Sequence, residues 1–152
     1  MKKLYFIFII LGFVCSVKAQ ILPIPDGPFK TALLAANVNN AYASNIAGNP
    51  IVVDLNNDNQ IQVSEAQNVY KLWLFNAFLD NVNGIEGFTN LRVLNVRDNQ
   101  LVNLDVTALS NLRELYAFNN TFTSLDLSGL ANLRILECSV SNLNLDGVSL
   151  TD

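Results

Sequence analysis

The segment Leu91-Arg92-Val93-Leu94-Asn95-Val96, followed by Asn99, Leu101, Leu104 and Asp105, decides how this chain folds, because it returns twice. Leu112-Arg113-Glu114-Leu115-Tyr116-Ala117 is followed by Asn120, Phe122, Leu125 and Asp126. Leu133-Arg134-Ile135-Leu136-Glu137-Cys138 is followed, less regularly, by Ser141, Leu143, Leu145 and Asp146. Leu91 to Leu112 and Leu112 to Leu133 are each 21 positions. An earlier copy runs through Val69, Leu72, Leu74, Leu79 and Val82; it is one residue longer and has Ala77 where Asn99 and Asn120 stand. A fixed period of this length marks coils that stack, because one copy is too short to bury its own leucines. Leu94 and Val96 alternate as the inward positions of a short strand do. Asn99 and Asn120 fall where the chain must turn out of that strand, and an asparagine side chain there can bond backbone groups of the turn. An ordinary globular domain would not keep Leu-Asp and Asn-Leu-Arg in phase through three copies.

If Leu94 and Val96 point inward, their neighbours point out on the sheet. One outward ladder reads Trp73, Asn95, Tyr116, Glu137, and the next reads Phe75, Arg97, Phe118, Ser139. Four aromatic side chains on one exposed sheet are more than solubility requires. They suit the anchors of a protein partner or the rings of a glycan, with Arg97, Glu114 and Glu137 as a charged rim. The competing expectation is that the rings cover one another or other parts of the chain.

Ahead of the repeats, Met1 to Ala19 has the order of a signal peptide. Lys2 and Lys3 are followed by the apolar run Leu4 to Val14, and Val17-Lys18-Ala19 sets up cleavage before Gln20. An alternative, acylation of Cys15, places Val14 where a small residue is expected. Loss of Lys2, Lys3 and Lys18 leaves six basic residues against 13 acidic ones and shifts the net charge from −4 to −7. Such acidity disfavours nucleic acid and anionic membranes as partners, and after cleavage no transmembrane segment is expected. Cys138 alone survives cleavage, so an intramolecular disulfide is excluded. There is no histidine, which removes the commonest general base and metal imidazole. No Gly-x-Ser-x-Gly, P-loop or His-Glu-x-x-His motif occurs, and Asp105, Asp126 and Asp146 recur in phase as structural residues do, so an enzyme is not expected.

Between leader and repeats, Asp54-Leu55-Asn56-Asn57-Asp58-Asn59-Gln60-Ile61-Gln62-Val63-Ser64-Glu65 matches the twelve-position EF-hand loop. Asp54, Asn56 and Asp58 stand at positions one, three and five; Gln60 offers its carbonyl at seven, Gln62 a water at nine, and Glu65 two oxygens at twelve. Calcium is a hard ion that takes about six to eight oxygens from a pliable loop, which this set provides. Position six is normally glycine in a left-handed turn; here it is Asn59, the residue next most tolerant of that conformation. A polar turn without metal is the other reading of the same residues. Pro28 to Ala36 reads as a helix, and Ser64 with Gln67 as the capping box of a short second helix. Asn39 to Pro50 reads as a polar insert.

The pattern Leu-x-x-Leu-x-Val-x-x-Asn-x-Leu-x-x-Leu-Asp resembles that of secreted Bacteroidota leucine-rich repeat proteins with internalin-like short repeats. Gly84-Ile85-Glu86-Gly87-Phe88-Thr89-Asn90-Leu91 resembles the entry to their first regular repeat. The likeness covers roughly Phe29 to Asp152 and implies a curved leucine-rich repeat solenoid, with a short parallel sheet on its concave side, irregular convex segments and a small helical N-terminal cap. The expected division is a signal peptide over 1–19, a cap over 20–68 and about four repeats over 69–152. The last repeat stops partway and no sorting domain follows, so a piece of a longer protein is expected. The implied function is an extracellular or cell-surface, calcium-stabilised module that binds a protein or glycan; the alternative is a structural or adhesive array without a discrete ligand.

Overall fold

A computed structural model describes residues 19–140 and 142–148; the expected leader up to position 18, Ser141 and residues 149–152 lie outside them. In chain order the elements are α1 (Pro28–Ala35), β1 (Ala43–Ser44), α2 (Val63–Ala66), β2 (Lys71–Trp73), a 3₁₀ turn (Ile85–Gly87), β3 (Val93–Asn95), β4 (Glu114–Tyr116), β5 (Ser124–Asp126), β6 (Ile135–Glu137) and β7 (Asn142–Asn144). Strands β2, β3, β4 and β6 form a parallel sheet in which Leu72, Leu94, Leu115 and Leu136 stand in register. The period of the leucines is therefore the period of the coils. Leu72, Leu94 and Leu115 are fully buried, whereas Leu136 and Cys138, on the outermost of these coils, are half-buried. Cys138 is thus not the core residue its phase suggests, because no further coil covers it among the described residues. Its surroundings still push the thiol pKa up by desolvation.

The turn asparagines do more than close their own coil. Asn99 is buried; its Oδ1 accepts the N–H groups of Ala77 and Leu79 on the preceding coil, each at 3.0 Å. Its Nδ2 donates to Leu74 O on that coil and to Val96 O and Arg97 O on its own. Asn120 repeats the pattern, accepting Leu101 N–H and donating to Val96 O and Ala117 O. The first coil can lack an asparagine at Ala77 because Asn99 of the next coil supplies the acceptor. A second asparagine ladder, from the recurring Asn-Leu-Arg, ties the convex turns: Asn90, Asn111 and Asn132 donate to Gln67 O, Thr89 O and Ser110 O of the coil before.

The polar insert Asn39–Pro50 proves to be structural. It contains β1, which pairs antiparallel with β2 and ends the sheet, in the order β1-β2-β3-β4-β6. The outer side of β1 is covered by its own hairpin, with Ile51 N–H donating to Ala43 O and a bridge between Ser44 and Pro50. A proline at that position offers no donor to a further strand. Helix α1 begins at Pro28 as expected and buries Phe29, Ala32 and Leu33. The capping box of α2 lies earlier than Ser64 and Gln67: Gln62 precedes the helix and Glu65 Oε2 accepts its N–H at 2.9 Å. Position twelve of the loop and third residue of the helix are one residue, so its carboxylate serves both. The convex side carries regular structure at one end, where β5 pairs parallel with β7.

One hydrophobic cluster runs from Leu22 through Leu133, so cap and repeats share a core. The segment after Gln20 packs into it. Gly84 is left-handed (φ 95°), and a Cβ there would stand 2.5 Å from Ile24 Cγ1, so glycine is required for that approach. Among the described residues no helix is long and apolar enough to cross a membrane.

Candidate functional site

Two regions hold the candidate site residues. The first is the loop 54–65, where all six expected ligand residues are linked side chain to side chain or through the loop backbone. Asp54 is buried; its Oδ1 accepts Asp58 N–H at 3.2 Å and its Oδ2 accepts Asn59 N–H at 3.0 Å. Asn56 Oδ1 accepts the same Asp58 N–H at 3.0 Å, and its Nδ2 donates to Asp58 Oδ2 at 2.9 Å and Gln62 Oε1 at 3.3 Å. Gln62 Nε2 lies 3.2 and 3.0 Å from the two Asp58 oxygens. The Gln60 N–H donates to Asp58 Oδ1 at 2.8 Å, and that bond is the chief cause holding the Asp58 carboxyl below its usual range. Buried Glu65 spans the loop: Oε1 accepts Leu55 N–H at 2.8 Å and Asn56 N–H at 3.4 Å, and Oε2 accepts Gln62 N–H.

Asn59 is left-handed, with φ 62°, as its place at position six demands, and Asn57 has φ 58°. Opposite the loop, Gln20–Leu22 pairs with Ile61–Val63 through Leu22 N–H to Ile61 O and Val63 N–H to Gln20 O, both 2.8 Å. Ile61 at position eight is fully buried, so the loop is anchored to the core. The donor set is entirely oxygen and amide, which suits a hard cation and excludes soft-ligand sites. Among the described residues no three acidic side chains are close enough to form a metal cluster by themselves, so amide oxygens and backbone carbonyls would complete any shell.

The second region is the concave sheet. Trp73, Asn95, Tyr116 and Glu137 are aligned across β2, β3, β4 and β6, as the outward phase requires. Their exposure differs from the expectation. Asn95 is only 2% exposed, and its Oδ1 turns back to accept Arg97 N–H. Trp73 and Tyr116 lean together over it, ring centroids 5.7 Å apart. Lys71 Nζ covers the other part of the indole at 4.2 Å, and the Tyr116 hydroxyl donates to Glu114 at 3.0 Å. Desolvation first, then that bond, raises the phenol pKa and keeps it a donor. For this ladder the rings do cover one another, and Asn95 is a floor rather than an exposed rung; Glu137 is exposed.

The neighbouring ladder is open. Phe75 is 44% and Phe118 48% exposed, with Arg97 between them. The Arg97 guanidinium sits 5.0 Å from the Phe75 ring centroid, and its Nε pairs with Asp98 at 3.1 Å. Just past it lies a third ladder the outward phase did not single out: Asn76, Asp98 and Asn119, all left-handed with φ of 50°, 57° and 58°. Short Asx residues at one position in three successive coils were the available signal, since they alone among non-glycine residues visit that conformation readily. Phe78 shares it, with φ 58° and 70% exposure, and has no such excuse.

No family model matches this sequence, and no curated protein does. Among solved structures, the functional domain of InlJ from Listeria monocytogenes, which includes a cysteine ladder, superposes with a TM-score of 0.55 at 21% identity, over 83% of this chain and 25% of that one. An internalin, inlF, from Listeria monocytogenes gives 0.54 at 24% identity, over 91% of this chain and 42% of that one. This chain thus spans about a quarter and two fifths of their lengths. Together with the in-register leucines and asparagines, the likeness identifies the fold: an internalin-like leucine-rich repeat solenoid.

Proposed function

We propose that this chain is an extracellular recognition module that binds a protein through its concave sheet and does no catalysis. The observation that carries this reading is the open ladder: Phe75 and Phe118 remain half exposed, in phase, either side of Arg97, while Trp73 and Tyr116 of the neighbouring ladder pack on each other. Exposed aromatic and arginine side chains on a rigid platform are the groups that dominate protein interfaces. Sheet-borne residues are also fixed in place, so little ordering cost attends binding. The test begins with a partner captured by the secreted chain and confirmed as a purified protein by surface plasmon resonance. Replacing Tyr116 and Phe118 together by Ala is expected to weaken that complex about tenfold or more with the fold intact. Undiminished affinity removes the concave face from the interaction.

Calcium belongs to the same proposal. Asp54, Asn56, Asp58, Gln60, Gln62 and Glu65 would hold it, and bound there it would neutralise their carboxylates and tie the loop to α2. Support comes from their linkage within one loop, the left-handed Asn59 and the anchoring of Ile61. Secretion is proposed from the leader-like order of Met1 to Ala19. Amino-terminal sequencing of the exported chain should begin at Gln20; a chain that retains Lys2 and Lys3 refutes it.

A further inference from the structure

Around the rim from the concave sheet lies a groove of about 570 Å³, within the size range of small-ligand sites. It crosses the coils rather than following a strand. Asn76, Asp98 and Asn119, one from each of three successive coils, line it together with Gln100 and with Phe75 and Phe78 of the first coil. We propose that this groove binds a neutral oligosaccharide, one sugar ring per coil, with Phe78 as the stacking residue.

The N–H groups along the groove are already used: Asn76 to Arg97 O, Asp98 to Phe118 O and Gln100 to Leu79 O. An extended peptide therefore finds no edge to pair with, and recognition must come from side chains. Among the described residues the side-chain amides of Asn76 and Gln100, both exposed in the groove, make no hydrogen bond, and each offers one acceptor and two N–H donors. Asp98 offers a carboxylate whose charge is balanced by Arg97, and Asn119 Nδ2 holds it at 2.6 Å. Planar amides beside a carboxylate match the paired donors and acceptors of adjacent sugar hydroxyls. No unpaired charge favours an ionic ligand, and the acidity of the chain opposes an anionic one. Coils repeat about every 4.8 Å, close to the advance of one ring along an extended oligosaccharide, so the polar side chains of Asn76, Asp98 and Asn119 on successive coils meet successive rings.

Phe78 adds the apolar half of a sugar site. A bulky residue at positive φ is costly and is retained where the surroundings force it. Here Asn99 does the forcing, with Oδ1 bonded to the N–H groups on both sides of Phe78, at Ala77 and Leu79. The ring is thereby held out beside the amides, at 70% exposure, instead of folding into the core. A phenyl face in that position stacks on the C–H face of a ring whose hydroxyl edges meet Asn76 and Gln100.

The test is a glycan microarray of defined neutral and acidic mono- to tetrasaccharides probed with the whole chain, followed by calorimetric titration of the best neutral binder. Phe78→Gly removes the ring and suits the left-handed backbone, and Gln100→Ala removes an exposed amide; neither disturbs the core. Each is expected to weaken saccharide binding at least tenfold, whereas Tyr116→Ala with Phe118→Ala leaves it unchanged. That separation keeps the fate of the saccharide site distinct from that of the protein-binding face. Absence of any neutral binder on the array, capture of acidic glycans only, or binding that survives both groove variants overturns the proposal.

Discussion

Asn99 carries more of the stability of this molecule than its size suggests. Five backbone groups on two coils use its side chain, and all are at or near the interior. Asn99→Ala would strand the buried Leu79 N–H and the Leu74 carbonyl, while Val96 O keeps Asn120, and unsatisfied buried groups cost about 1–3 kcal/mol each. The expected loss is about 3 kcal/mol, read from urea unfolding; Asn120→Ala, at a half-buried site, should cost less. An unaltered midpoint for Asn99→Ala would show that water replaces the side chain. Cys138 offers a simpler check. Burial raises its thiol pKa, so at neutral pH alkylation should be slower than for a free cysteine and should accelerate on unfolding.

The loop 54–65, proposed to bind calcium, is the element with the most to reveal. Glu65 already bonds three N–H groups in this structure, so Glu65→Ala should lower the melting temperature even without metal. The cleaner variant is Asp58→Asn, which keeps an acceptor for the Gln60 N–H and removes one charge. Calcium at millimolar concentration should raise the melting temperature of the parent, with affinity on the order of 10⁻⁴–10⁻³ M, and raise that of Asp58→Asn far less. Equal behaviour of the two proteins, or no rise in either, would leave the loop a metal-free Asx turn. Acid should act on this element too. The Asp58 pKa is depressed in the folded chain by the Gln60 N–H and neighbouring amides. Its contribution is therefore complete above the ordinary value of 3.8 and is lost as pH falls below it through the lower folded value. A parent that loosens below that pH more than Asp58→Asn does is the expected result.

Across the whole molecule, stability is shared between coils, because each leucine is buried by its neighbours above and below. Leu115 lies between Leu94 and Leu136 in the sheet and is fully buried, so Leu115→Ala should cost about 2–5 kcal/mol. Leu136→Ala, half-buried on the outermost of those coils, should cost distinctly less, and equal losses would mean that coil is covered in solution. The two ends of the sheet differ for the same reason. At the first end β1 and the Ser44–Pro50 bridge close the edge, whereas β6 stands at the other end of the sheet.

The solenoid was legible in the sequence because a repeat announces itself: leucines 21 positions apart must face the same way in every coil, whatever the fold around them. The left-handed conformation at Asn59 was legible for a related reason, since it is local to one turn. Phase likewise put Trp73, Tyr116, Phe75 and Phe118 on one face. Phase could not say how side chains on that face divide its surface. Only packing decided that Trp73 and Tyr116 close over Asn95 while Phe75 and Phe118 stay open. Only packing turned the polar insert into the strand β1, moved the helix cap from Ser64 to Gln62, and made Asn99 the partner of a coil 22 residues earlier. Each of these depends on which backbone groups distant segments leave unpaired when the coils stack, and a periodic pattern of side-chain types does not contain that information.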